Sequence, residues 1–142
     1  MSTRRPAPPS GMAPPVSARL PDGVVLDLRP LACEITDRHL HRHPEDTERY
    51  GAVARDWGIH DNQHLLNWAA LDATGALSFQ EQLAWLANVL ASRGYPLANL
   101  ADNLETAAQA TRELVTSEHT AQLAGTLRDG AEFVRGLGAQ IP

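Results

Sequence analysis

Cysteine is almost absent from this chain: Cys33 is the only one, so neither an intramolecular disulfide nor a thiolate-rich zinc site can form. A reducing cytoplasm is the compartment this suits. Long apolar runs are also missing, and none approaches the roughly 18 residues that a membrane span requires, so no membrane role is expected. The formal net charge is −5 and the basic residues are scattered, which argues against a phosphate-binding surface and a nucleic-acid partner. Two arginines near the N-terminus are followed by proline, glycine and alanine rather than by the apolar core of a secretory signal. Catalytic signatures are as scarce: no serine sits in a glycine-flanked elbow, no glycine-rich phosphate loop occurs, and Cys33 has no basic neighbour. We therefore expect no enzymatic activity.

What is present is the composition of a globular domain, 142 residues with 43% hydrophobic and 20% charged side chains. Five prolines precede Ala18, so residues 1–19 read as a disordered Pro-rich tail and residues 20–142 as a single helical domain. Between Leu20 and Leu31 we expect a turn and a short extended piece ended by Pro30. Pro44, Glu45 and Asp46 then have the composition of a helix start, and the pattern runs to about Ala73, with Gly58 as a point for a kink. Ser78 and Glu81 form a capping box for a second helix that closes at Arg93 and Gly94. A third helix starts near Pro96 and a fourth near Ser117, its cap, with Glu118 and His119 in the first turn. The short joints imply antiparallel neighbours, hence an all-α, up-and-down four-helix bundle, with one extra short helix expected around Thr36 to Arg42.

Five of the six histidines, His39, His41, His43, His60 and His64, lie between residues 39 and 64. The first three alternate before a proline and read as a solvated helix end; Asp46, Glu48, Asp102 and Glu105 read as a solvated face. At 100° per residue, Tyr50, Val53, Trp57, His64, Trp68 and Leu71 share one line of the long helix, so His64 should point inward. His60 and Asp61 flank that line. Trp57, His60, Asp61, His64 and Trp68 are thus the candidate ligand-pocket residues, a polar island in an aromatic wall. The simpler alternative is a buried His64 hydrogen-bonded for structural reasons. His60 and His64 have the i, i+4 spacing with which two imidazoles reach one metal ion, but two ligands fall short of the three or four that zinc takes. Asp61 also stands where zinc metalloproteases place a glutamate base.

The segment Arg55 to Leu71, with His64-Leu65, then Phe79 and Trp85, the joint Arg93-Gly94-Tyr95-Pro96 and the pair Leu100 and Leu104, resembles a known family. It is similar to the small all-helical domain of bacterial regulatory proteins that often precedes a cobalamin-binding domain. The resemblance covers about residues 50–111 and implies a sensory or regulatory module with His64 and Trp85 in structural or interaction roles. It does not extend to the corrinoid signature, because no Asp-x-His-x-x-Gly loop occurs and Glu118-His119 lacks a tryptophan at the matching distance upstream.

The leading expectation is a non-enzymatic regulatory module that acts through a protein partner or as a homo-oligomer. Trp85, about 120° off the Phe79 line, is the candidate interface anchor. The alternative is a sensor that binds haem, a corrinoid or a divalent metal around His64, with a metal-dependent enzyme ranked below it; the leading reading needs no cofactor.

Overall fold

The computed structural model describes residues 13–139. Most of the tail read from sequence, residues 1–12, lies outside them, but its last part does not. Strand β1 (Ser17–Arg19) falls within the segment expected to be disordered and pairs antiparallel with β2 (Val25–Asp27), Ala18 opposite Leu26. Gly23, at φ 88°, makes the turn, and its N–H bonds the Leu20 carbonyl at 2.9 Å. Ala18, Leu20 and Leu26 are buried, so the hairpin closes one part of the helical core.

The rest of the described residues are mostly helical, in six helices where the sequence suggests four and one short extra. Helix α1 (Leu28–Arg42) is twice the length expected for the extra helix, and it contains Pro30, which was expected to end an extended strand. Proline is tolerated there because Pro30 lies in the first turn, where its missing N–H would have had no intrahelical acceptor. The single helix expected over 44–73 is divided into α2 (Pro44–Tyr50) and α3 (Val53–Ala73). The break falls at Gly51, whose φ of 69° favours glycine, and whose N–H bonds the Thr47 carbonyl at 2.8 Å. Gly58, the expected kink, stays within α3. A Cβ built there would lie 2.7 Å from Thr36 Cγ2, so Gly58 instead allows α1 and α3 to approach closely.

Helix α4 (Phe79–Ser92) starts as read from sequence, with Ser78 Oγ accepting from the Glu81 N–H at 3.3 Å. Helices α5 (Leu97–Leu114) and α6 (Thr120–Ala139) follow and pack extensively on each other. Ser117 accepts from the His119 N–H at 3.0 Å, and α6 begins at Thr120, after the Glu118-His119 pair.

Helix α3 is an interior element, with neighbours α1, α2, α4, α6 and β1. Its deepest side chains, Ile59, Asn62, Leu66 and Ala69, lie roughly opposite the aromatic line inferred from sequence. His64 is nevertheless 6% exposed, because a helix packed around most of its circumference buries more than one stripe. Asn62 fixes the register of the core: it donates to Thr36 Oγ1 at 3.0 Å and exchanges two amide hydrogen bonds with Asn103 at 3.2 and 2.7 Å. Helices α1, α3 and α5 are therefore joined by polar contacts through their apolar interior.

Two glycine substitutions should move stability in opposite directions. Gly58→Ala should cost about 1–3 kcal/mol by overpacking against Thr36. Gly125→Ala in α6, where no atom lies within 4 Å of an added Cβ, should stabilise by roughly 0.5–1 kcal/mol. Urea titration of the two variants would check both signs.

Candidate functional site

Between the helices lies a cavity of about 280 Å³. Helix α1 contributes Thr36, His39 and Leu40; α2 contributes Asp46 and Tyr50; α3 contributes Ala54, Trp57, Gly58, Asp61, Asn62 and Leu65. Leu86 and Leu90 of α4, Arg93 and Tyr95 of the following joint, and Leu100 and Asn103 of α5 complete the wall. The break at Gly51 is what makes this arrangement: it lets α2 turn away from the α3 axis and close one side.

Asp46 organises the polar end. Its Oδ2 accepts from Tyr95 Oη at 2.6 Å and from His39 Nε2 at 3.0 Å, and its Oδ1 accepts from Asn99 Nδ2 at 3.2 Å. Burial pushes this carboxyl upward, but the bonds from His39, Tyr95 and Asn99 outweigh burial and hold it below the usual aspartate range. Since the ionised carboxylate only accepts, His39 Nε2 carries the proton. The other ring nitrogen of His39, Nδ1, is buried without a hydrogen-bond partner among the described residues. Burial, and then the bond to Asp46, raise the Tyr95 phenol far above its ordinary range, so it remains a donor.

These placements correct two expectations. His39 was read as part of a solvated helix end, yet it is 5% exposed, and Asp46, read as part of a solvated face, is 6% exposed. Both are drawn inward because α2 folds back across the end of α1. His43 is also partnered, with Glu45 Oε1 2.6 Å from Nδ1 and Asp102 Oδ2 2.8 Å from Nε2, whereas His41 is exposed as expected. Asp102, likewise assigned to a solvated face, is surrounded by His43, Arg42 and Arg135.

The candidate pocket residues separate into two groups. Trp57 and Asp61 line the cavity. His60 lies behind Asp61, with Nδ1 3.0 Å from its Oδ1. Burial raises the Asp61 carboxyl, and the neighbouring His60 opposes this only in part. His64 and Trp68 do not line the cavity but continue a row of rings: His60 to His64 at 4.8 Å, His64 to Trp68 at 5.7 Å, and Trp68 to Trp85 edge-on at 6.5 Å. The row ends at Trp85, 47% exposed. For a metal, no third histidine, cysteine or carboxylate joins His60 and His64 among the described residues; the trio with suitable spacing is Asp22, Glu118 and His119. That trio is on the surface, and Asp22 already accepts from Ser117 Oγ and the Val24 N–H.

Sequence reasoning missed His39, Asp46, Tyr95 and Asn99. One signal was available: Asn99, Asn103 and Thr106 recur at i, i+4 and i+7 on α5, the spacing of a polar stripe facing inward. Comparison with known protein families, curated proteins and solved structures finds no match to this chain.

Asp46→Ala would remove the acceptor that His39, Tyr95 and Asn99 share, leaving His39 and Tyr95 only their mutual contact at 3.2 Å, and should cost about 1–3 kcal/mol in denaturant unfolding. His43 gives a pH signature. Burial disfavours its charged form, but Glu45 and Asp102 raise its folded pKa above the unfolded 6.5. Its contribution is therefore complete below pH 6.5 and is lost as pH rises through the folded value. Stability of the native chain should fall more steeply over that window than stability of His43→Gln.

Proposed function

We propose that this protein is a non-enzymatic regulatory module that binds a small molecule in the cavity between α1, α2, α3, α4 and α5. The observation that carries the reading is the cavity itself: about 280 Å³, apolar over most of its wall, with a few fixed polar groups at one end. Small-molecule sites have that composition and occur between helices of bundles. An apolar site of roughly 150 Å³ accommodates benzene, so this volume suits a compact organic molecule. Binding rather than catalysis is favoured because no serine or cysteine lines the wall beside a base, and Asp46 is committed to three donors. The likeness of residues 50–111 to a helical regulatory domain supports the same class.

A second reading rests on Trp85. A half-exposed indole held edge-on against Trp68 is suited to anchor a protein partner or a second copy of the chain. The row of rings from His60 to Trp85 begins beside the cavity, so ligand binding and partner binding occupy neighbouring parts of one structure.

Titration of the full chain with a panel of small organic fragments, followed by amide NMR, should shift residues of the cavity wall. Ala54→Phe, which fills the space, should abolish those shifts with helicity retained. A spectrum unchanged across the panel would refute the binding role. For self-association, light scattering should show a concentration-dependent mass that Trp85→Ala lowers; a strict monomer insensitive to that change would exclude the homo-oligomer.

A further inference from the structure

The hydrogen bonds around the cavity indicate the polarity of what it holds, because its polar wall residues are engaged with one another. Asn62 Nδ2 donates to Thr36 Oγ1 at 3.0 Å and to Asn103 Oδ1 at 3.2 Å, and Asn103 Nδ2 returns a bond to Asn62 Oδ1 at 2.7 Å. Asp46 in the same way takes the donors of His39 and Tyr95, which also line the space, and of Asn99 beside it. His39 Nδ1, buried from the cavity as from solvent, offers a ligand no acceptor. The charged groups are engaged too. Asp61 has His60 Nδ1 3.0 Å from its Oδ1, and His64 and Arg93 also act on its carboxyl, which burial pushes toward the neutral form. Arg49 lies over the Tyr50 ring, 5.2 Å from its centroid, so that ring already has a cation.

We infer that the cavity takes an uncharged, apolar molecule, held by burial of its surface rather than by a directed hydrogen bond. This rests on the cavity being a ligand site, as proposed above. An ion of either sign would leave its hydration behind and meet charged side chains already engaged with one another, so nothing would offset its desolvation. A hydroxyl or amide on the ligand would likewise have to displace a bond that one wall residue makes to another. The contacts left for a ligand are apolar: Ala54 and Leu65 from α3, Leu86 and Leu90 from α4, and Leu100 from α5. A volume of about 280 Å³, beside the roughly 150 Å³ that holds benzene, sets the size at about one or two six-membered rings.

The test uses probes of one shape on the native full-length chain: ethylbenzene, benzyl alcohol and benzylammonium, which differ only in a terminal methyl, hydroxyl or ammonium group. Benzoate, nearly the same size, adds a negative charge. Isothermal titration at neutral pH should place ethylbenzene at least about fivefold ahead of benzyl alcohol, the factor for one buried hydroxyl without a partner. It should lead either ion by at least about tenfold. Ala54→Phe, which occupies the space, should abolish ethylbenzene binding with helicity retained. The ranking needs no substitution, so it decides the question even if Ala54→Phe folds poorly. A smaller or reversed preference overturns the assignment, as does ethylbenzene binding that survives in a folded Ala54→Phe chain. Failure of every probe to bind also overturns it, and the fragment panel then shows separately whether the cavity binds anything.

Discussion

The structure depends most on the carboxylate of Asp46. Removing such a charge from water costs roughly several kcal/mol unless hydrogen bonds replace its hydration, and here the replacements come from three places: His39 on α1, Tyr95 in the joint before α5, and Asn99 on α5. Each donor has one geometry in which it can serve, so the three segments are fixed relative to α2. The cavity is the space they enclose. Its polar end exists because Asp46 is there, and its aromatic wall because α2 also presents Tyr50 toward Trp57 and Tyr95.

A second polar contact acts in the deep core. The Asn62 and Asn103 amides satisfy each other only when α3 and α5 stand in one register, and Thr36 adds α1 to the same point. Leucine and alanine surround these residues, and such side chains would pack in several neighbouring registers at similar energy. Buried amides remove that freedom, because any slip of one turn leaves donors and acceptors unpaired. Gly58 complements them by allowing α1 to lie close enough to α3 for Thr36 to reach Asn62.

Much of the helical content was legible in the sequence, because Ser78, Arg93-Gly94, Pro96 and the leucine spacing of the last three helices are local signals. The division of residues 44–73 was not. Gly51 and Gly58 are both plausible interruptions of a helical pattern, and which one breaks it depends on whether a neighbouring helix presses against the backbone, as Thr36 does at Gly58. With α2 and α3 treated as one helix, Tyr50 seemed to continue the line of Trp57 and His64, whereas it belongs to a separate helix. Asp46 reads as solvated from its acidity alone, although at 100° per residue it lies on that same line. Trp57 and Asp61 still reached the cavity, being close to the break. His39 was illegible because its burial requires a contact with Tyr95, 56 residues away, that no local pattern encodes.

Helix α2 has seven residues, too few to hold itself helical in water, where isolated helices shorter than about 12 residues are marginal. Its order is therefore conferred from outside, through Asp46 and the ring contacts of Tyr50. Loss of α2 removes Asp46 and Tyr50 from the lining together, so the closed side of the cavity opens when this segment frays. By thermodynamic linkage, an occupant of the cavity and the helicity of α2 reinforce one another. For the ligand proposed above, the local unfolding free energy of these seven residues would report occupancy, which amide hydrogen exchange in α2 would record even where the rest of the protein remains unchanged.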